Sequence, residues 1–287
     1  VLDSLADEGS RFTRAFAPAG STKYSFPAIL TGVSPLSYGG YDSVSDDQTL
    51  VSEVFRDHGY RTAGFHSNLF LSGEFGYDRG WDTFFDSSPD SGLLSAARRY
   101  AKVNLEGTWL FDLLKLGYDA LESHSGINVG SYHAPANEIT DRAVAFVERV
   151  PDTRTFLWVH YMDAHHPFLP PAESQRLFRD TVVSEEESVK LRRKCIERPD
   201  AVTEAERETL VDLYDAEIRY ADEQIGRLVD SVRASTGETA FLCTSDHGEE
   251  FYEHGGYSHN PSMYEEVIHV PLVLAGAGIE DRGPGSA

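Results

Sequence analysis

Basic residues are scarce in this 287-residue chain, and lysine is the scarcest of them. Twenty arginines and five lysines face 47 acidic residues, so the net charge is −22 at pH 7. A nucleic-acid-binding protein needs Lys and Arg to displace counterions from phosphates, so this charge argues against a nucleic-acid partner. An acidic excess with little lysine is typical of cytosolic proteins of salt-loving microbes, where salt screens the surface self-repulsion. We therefore expect a cytoplasmic, halophilic protein, with an acidic mesophilic protein as the alternative.

Cysteine and long apolar runs are also lacking. Cys195 and Cys243 are the only cysteines, and they resemble neither a disulfide framework nor a zinc–cysteine cluster. No apolar run approaches the ~20 residues that a membrane-spanning helix needs, and the chain shows no signal-peptide pattern at its start. The 40% hydrophobic content is ordinary for a globular protein. The sequence thus predicts a globular chain without a membrane segment.

Short apolar runs alternate with amphipathic stretches, which is the pattern of an α/β domain. Residues 87–131 interrupt this pattern and are expected to form a variable, irregular insertion in one domain over 1–287. Strands are predicted over 11–17, 61–65, 155–161, 239–244 and 267–274, and helices over 25–30, 47–58, 137–149 and 204–234.

Two of the predicted strands run directly into residues that can ligate a metal. Sites in open α/β sheets form beyond the carboxyl ends of strands, and carboxylates and imidazoles are ligands of Zn²⁺, Mn²⁺ and related ions. The sequence therefore predicts a metal or anion site where these two strands end. The residues concerned are Asp163, His165 and His166, after the strand predicted over 155–161, and Asp246, His247, His254 and His259, after the strand predicted over 239–244.

A hydroxyl-rich turn follows the first predicted strand and contains Ser21, Thr22 and Ser25. A hydroxyl at a strand-to-helix junction faces the helix N-terminus, where backbone N–H groups and the helix dipole favour an anion. Ser and Thr are also frequent N-caps of helices. On this segment alone, capping is the simpler interpretation.

Together these segments resemble the sulfatase family of the alkaline-phosphatase superfamily. The resemblance implies an alkaline-phosphatase-like α/β fold, a mixed sheet flanked by helices on both faces. The segment from Ser245 to Glu250 resembles the start of the family's metal-ligand motif, and the motif continues through Glu253-His254-Gly255-Gly256, Tyr264-Glu265-Glu266 and Val270-Pro271-Leu272. The segment from His160 to His165 resembles its middle histidine motif, and Leu30-Thr31-Gly32 the end of its nucleophile helix.

The resemblance assigns a role to each matching residue. Asp246 and His247 match metal ligands of the family. Thr22 stands ten residues before Gly32, where the family places its nucleophile, which also ligates the metal. The implied cofactor is a divalent ion, Ca²⁺, Mn²⁺, Mg²⁺ or Zn²⁺, and the implied substrate is a small anionic ester.

Three further histidines receive catalytic roles from the same resemblance. His165 matches a histidine that contacts the anionic group of the substrate. His254 and His259 lie near positions that hold substrate-contacting or second-metal residues in relatives. Either of these two histidines is a candidate to protonate the leaving group.

The nucleophile segment departs from the motif of true sulfatases. Those enzymes carry a Cys/Ser-x-Pro-x-Arg motif that is oxidised to formylglycine, whereas the segment from Thr22 to Phe26 has neither this Pro nor this Arg. A Thr nucleophile is used by phosphoester and phosphonate hydrolases and by phosphoglycerol transferases of the superfamily. The resemblance thus implies a metal-dependent hydrolase of phosphate or sulfate esters with a covalent Thr intermediate. A phosphoglycerol or phosphoethanolamine transferase and a non-catalytic member are the alternatives.

The resemblance also leads us to expect a fragment. Active relatives carry a strand that ends in one or two metal-binding aspartates, before a helix that resembles residues 2–9 of this chain. The chain starts within that helix and stops shortly after residues 267–274. We therefore expect that the first metal-binding strand and the C-terminal end are absent from these 287 residues.

Overall fold

The computed structural model describes residues 1–37, 43–86, 133–259 and 262–279. The predicted insertion over 87–131 lies outside these residues. Within them the strands are β1 Gly9–Phe16, β2 Arg61–Phe65, β3 Thr83–Phe85, β4 Thr155–Val159, β5 Ala240–Thr244, β6 Glu250–Phe251, β7 Tyr257–Ser258 and β8 His269–Gly276. The α-helices of the same residues are α1 Leu2–Asp7, α2 Thr22–Thr31, α3 Val51–Asp57, α4 Ala136–Arg149, α5 Ala172–Gln175, α6 Glu185–Glu197, α7 Glu204–Ser235 and α8 Glu265–Ile268.

The described strands divide between two three-stranded sheets and one small ribbon. In the first sheet the order is β1-β8-β5, and both pairs are antiparallel. In the second the order is β3-β2-β4, and both pairs are parallel. Strands β6 and β7 form an antiparallel ribbon. Parallel strands need a crossover connection, and helix α4 lies between β2 and β4 in the chain.

Helix α7 packs against both larger sheets. Its Val232 belongs to a core in which Phe146 of α4 lies against Phe65 of β2, with ring centroids 5.9 Å apart. Its Val229 packs with Val273 of β8 in a second core. One helix therefore fixes the positions of the two sheets relative to each other, and with them the ends of β4 and β5.

The start of α7 has a sequence-encoded signal. The backbone N–H of Glu206 donates to the hydroxyl of Thr203, and the Glu206 carboxylate accepts from the Thr203 backbone N–H, which is a capping box. The predicted helix over 204–234 is thus confirmed to within one residue. Among the described residues, none of the helices combines the length and the apolar composition that a membrane span requires.

Several elements were absent from the predicted strands and helices, and β3 and α6 are two of them. Strand β3 is three residues long, too short for a periodic pattern. Helix α6 is mostly charged and buries only Ser188, Leu191 and Cys195, so its apolar face is narrow. The strand predicted from Val267 begins instead at His269, because residues 265–268 form the short helix α8.

Candidate active site

Thr22 is the first residue of helix α2, just after the turn that follows β1. Its side chain is largely buried, and its hydroxyl oxygen lies 3.3 Å from Nε2 of His247. Ser21 occupies the N-cap position and makes no side-chain capping hydrogen bond, so the capping interpretation does not apply to Thr22. The hydroxyl of Ser25 is buried and donates to the carbonyl of Ala19 at 2.7 Å. Thr22 therefore presents the hydroxyl that faces the predicted metal ligands.

The turn after β5 brings Asp246 and His247 to this hydroxyl. A side chain at Gly248 would place its Cβ 2.1 Å from the carbonyl oxygen of Glu266, so only glycine fits the close approach to α8. The Gly248 N–H donates to the carbonyl of Val267 at 2.6 Å. This contact holds the Asp-His turn against the segment that leads into β8.

The donors around Thr22 suit a divalent cation. Nδ1 of His247 donates to the carbonyl of Gly248 at 2.9 Å, which leaves the lone pair of the neutral ring on Nε2. This Nε2 lies 3.3 Å from the Thr22 oxygen and 3.5 Å from Oδ2 of Asp246. The Asp246 oxygen is buried and has no hydrogen-bond partner among the described residues. A buried carboxylate oxygen needs a compensating partner, so Asp246, His247 and Thr22 fit the predicted metal.

Four histidines form one ring cluster beside these donors. The ring of His259 stacks on that of His247 with a centroid distance of 4.1 Å. It also lies 4.9 Å from the ring of His165 and 5.1 Å from that of His166.

Burial, with His259 nearby, lowers the pKa of His165 to about 3. Burial and the neighbouring His165 hold the pKa of His166 far below its usual range. Nitrogen atoms of His165, His166 and His259 lie within 4.8 Å of one another and can themselves hold a cation.

Hydrogen bonds set the tautomers of the two predicted catalytic histidines in this cluster. Nδ1 of His165 donates to the carbonyl of His166 at 2.7 Å. Nδ1 of His259 donates to the buried carboxylate of Glu249 at 2.9 Å. In both neutral rings the lone pair therefore lies on Nε2.

His254 lies apart from this cluster. Its Nδ1 is 2.5 Å from a carboxylate oxygen of Glu266, and its ring stacks on Tyr264 with centroids 3.5 Å apart. Its side chain is 41% exposed, and its backbone N–H donates to Glu250. Glu250, His254 and Glu266 form a second group that can hold a cation, exposed at His254. The structure thus brings Thr22, His165, Asp246, His247 and His259 together, and it places His254 elsewhere.

Most of the chain also matches a known protein family. The sequence model of the sulfatase family matches residues 1–283. This chain belongs to the sulfatase family. The predicted family and the predicted alkaline-phosphatase-like α/β class are both confirmed by the family match and by the solved structures that share the fold.

Three proteins similar to this sulfatase-family chain differ in the activity that their names give. An uncharacterized sulfatase, YidJ, of Escherichia coli is 23% identical over 95% of this chain and 56% of its own length. The phosphonate monoester hydrolase of Agrobacterium radiobacter has a TM-score of 0.63 at 18% identity, over 96% of this chain and 62% of its own. The lipooligosaccharide phosphoethanolamine transferase A of Neisseria meningitidis has a TM-score of 0.63 at 19% identity, and the match covers 96% of this chain and 42% of the transferase. The chain thus spans little more than half of the curated relative, and the structural likenesses show the shared fold.

The sequence did not predict the contacts of several residues in this sulfatase-family site. Glu249 holds His259, and it stands inside the Asp-His-Gly-Glu-Glu motif, so its position was the available signal. His166 joins the histidine cluster and contacts the Ser258 hydroxyl through Nε2 at 2.8 Å. His160 is buried near Asp246, and burial lowers its pKa despite that carboxylate. No periodic pattern identifies these contacts, because each joins residues distant in sequence or lies in a loop.

Proposed function

We propose that this domain cleaves small anionic phosphate or sulfate esters with Thr22 as the nucleophile. The observation that carries the proposal is the 3.3 Å approach of the Thr22 hydroxyl to His247 Nε2, beside the buried, unpartnered oxygen of Asp246. A divalent cation held by these three side chains would lower the pKa of the hydroxyl, as metals lower that of bound water to ~7.

The first step is attack by the Thr22 oxygen on phosphorus or sulfur. The Thr22–ester bond forms while the bond to the leaving oxygen breaks, which gives a covalent Thr ester. Thr22 stands at the start of helix α2, where the helix dipole favours negative charge on the reacting group. His165 would donate from Nε2 to the same oxygens only once a bound anionic ester raises its pKa above the value of about 3 that burial and His259 give it. These contacts position an anionic group and stabilise the charge that develops on it.

The leaving group needs a proton, and His259 is the better placed of the two predicted donors. Its ring lies in the cluster with His165 and His247, whereas His254 pairs with Glu266. Nδ1 of His259 is hydrogen-bonded to the Glu249 carboxylate, so Nε2 is the atom that would pass a proton to the leaving group. Water then displaces the Thr22 oxygen in a hydrolase.

A transferase is the second candidate function. Its support is the equal TM-score of 0.63 to a phosphonate monoester hydrolase and to a phosphoethanolamine transferase. The same Thr22 ester would then be displaced by an acceptor alcohol instead of water. The two functions differ in the second step alone, so the products distinguish them.

A substrate screen tests the proposal. Chromogenic phosphate monoesters, phosphate diesters, phosphonate monoesters and sulfate esters would be incubated with the protein and with Zn²⁺, Mn²⁺, Mg²⁺ or Ca²⁺ in turn. We expect turnover of at least one ester class that Thr22→Ala removes and that Thr22→Ser partly retains. Adding glycerol or ethanolamine reports transfer if the phosphate or sulfate ester of the added alcohol forms. Turnover by the wild type that Thr22→Ala leaves unchanged would contradict Thr22 as the nucleophile.

We further propose that the acidic surface adapts the protein to a salt-rich cytoplasm. From residue 234 to residue 281 the chain has no Lys or Arg, although this segment carries Asp246 and the two glutamates of α8. High salt screens such local repulsion.

A further inference from the structure

Helix α7 carries a buried carboxyl group that no step of the proposed reaction uses. Glu217 lies within this helix and is 4% exposed. One of its oxygens accepts from the backbone N–H of Ala164 at 2.9 Å, and the other accepts from the N–H of Leu169 at 2.6 Å. Both oxygens of one helical side chain are therefore used by the loop between β4 and α5.

The two amides that Glu217 holds lie on either side of His165 and His166. Ala164 has φ = +85°, a left-handed conformation that a non-glycine residue keeps only when its surroundings fix it. The His165 N–H donates to the carbonyl of Met162 at 2.8 Å. The backbone that Glu217 holds is thus the backbone that carries the predicted catalytic histidine.

This loop has a second anchor that does not involve Glu217. The hydroxyl of Ser188 on α6 donates to the carbonyl of Phe168 at 2.7 Å, and the Phe168 ring packs with Leu191 and Leu213. The loop can therefore stay attached to the domain when Glu217 is changed. What Glu217 adds is the pair of contacts at Ala164 and Leu169, next to the histidines.

We propose that Glu217 is a positioning residue that sets His165 in the histidine cluster by fixing the backbone from Ala164 to Leu169. The chemical reason is that these loop amides have no strand or helix to pair with. A side chain with two acceptor oxygens satisfies both amides at once, and an apolar side chain leaves both without this partner. The catalytic part of this inference rests on the proposed role of His165, whereas the structural part does not.

Backbone amide hydrogen exchange tests the structural part without any substrate. In Glu217→Ala we expect the amides of residues 164–166, 168 and 169 to exchange at least about 10-fold faster relative to the helix α7 amides, since local opening no longer breaks two hydrogen bonds. Glu217→Gln keeps one acceptor oxygen, so one of the two amides should keep its protection. The matched control is Gln224→Ala, a buried polar residue on the same helix that contacts Arg227. It should leave the loop unchanged.

A double-mutant cycle tests the catalytic part. Glu217→Ala should lower kcat/KM by about 10- to 100-fold, because small misplacements of a catalytic group carry such penalties. In a His165→Ala background the same change should have little further effect. Two results would overturn the proposal. One is unchanged hydrogen-exchange protection of the loop amides in Glu217→Ala. The other is a double variant whose loss in kcat/KM equals the product of the losses in Glu217→Ala and His165→Ala. If the wild type turns over none of the esters, the proposed function fails, and the exchange measurement still decides whether Glu217 holds the loop.

Discussion

The Nε2 atom of His247 lies 3.3 Å from the hydroxyl oxygen of Thr22, although 225 positions separate the two residues in the chain. Thr22 starts the helix that follows β1, and His247 lies in the turn that follows β5. Strands β1 and β5 lie on either side of β8 in one antiparallel sheet. The sheet therefore brings the predicted nucleophile and a predicted metal ligand to the same place.

Replacing Thr22 should separate catalysis from stability. Thr22→Ala removes the attacking oxygen, so kcat should fall by at least about 10³-fold, as in other enzymes that lose their nucleophile. The free energy of unfolding should change by about 1 kcal/mol or less, because no capping hydrogen bond is lost. Steady-state kinetics and urea denaturation measure the two quantities. Thr22→Ser is the control, and near-normal activity in Thr22→Ala would refute the assignment.

Asp246→Asn should lower metal content and rate together. The substitution keeps the shape of the side chain and removes the charge that a divalent cation prefers. Elemental analysis after dialysis, beside kcat at saturating metal, measures both. Glu138→Gln is the control, because Glu138 pairs with Arg142 at the exposed surface of α4. Unchanged metal stoichiometry in Asp246→Asn would show that Asp246 is not a ligand.

His259 and His254 should differ sharply as alanine variants. His259→Ala should lower kcat by about 10²- to 10⁴-fold, and most for esters with poorly acidic leaving groups, since those need general-acid catalysis. His254→Ala should stay within a few-fold of the wild type, because the lost contact is an exposed pair with Glu266. Rates across a series of aryl and alkyl esters measure the difference. Equal losses in both variants would contradict the assignment of the proton donor to His259.

Glu217 should make stability fall as pH rises. Burial, and then the nearby Asp163, raises the pKa of Glu217 from 4.5 to about 8. The folded protein therefore keeps this proton while the unfolded chain loses it, so the stabilising contribution is present below pH ~4.5 and lost as pH rises through about 8. Urea denaturation from pH 5.5 to 8.5 should show the wild type losing on the order of a few kcal/mol relative to Glu217→Gln. The hydrogen bond that Glu217→Gln loses does not depend on pH. The change with pH in the stability difference between wild type and variant therefore reports the titration of Glu217. Parallel curves would contradict the raised pKa.

The acidic surface should make stability depend on salt. With a net charge of −22, self-repulsion destabilises the compact state in dilute buffer, and KCl screens it. The midpoint of thermal unfolding should therefore rise steeply between dilute and molar KCl. Scanning calorimetry in KCl measures this midpoint. A flat or falling dependence would instead indicate an acidic mesophilic protein.

Local patterns in the sequence were sufficient for the main elements. The strand predicted over 61–65 has the same bounds in the structure, and the helix predicted over 204–234 ends one residue later. Apolar periodicity and capping residues act over a few positions, so they can be read without knowledge of the fold. The Asp246-His247 pair was found in the same way, because ligand-type residues directly follow an apolar strand.

Other features depended on the tertiary structure. His254 and His259 stand in one short segment and were equal candidates by sequence, yet one pairs with Glu266 and the other stacks on His247. Glu217 reads as one acidic residue of an amphipathic helix, and its two loop amides lie 53 and 48 positions away. The sequence by itself thus determined most of the longer strands and helices and which residue types follow them. Only the packing of distant segments decided which side chains meet, because loop direction and long-range hydrogen bonds leave no periodic trace in the chain.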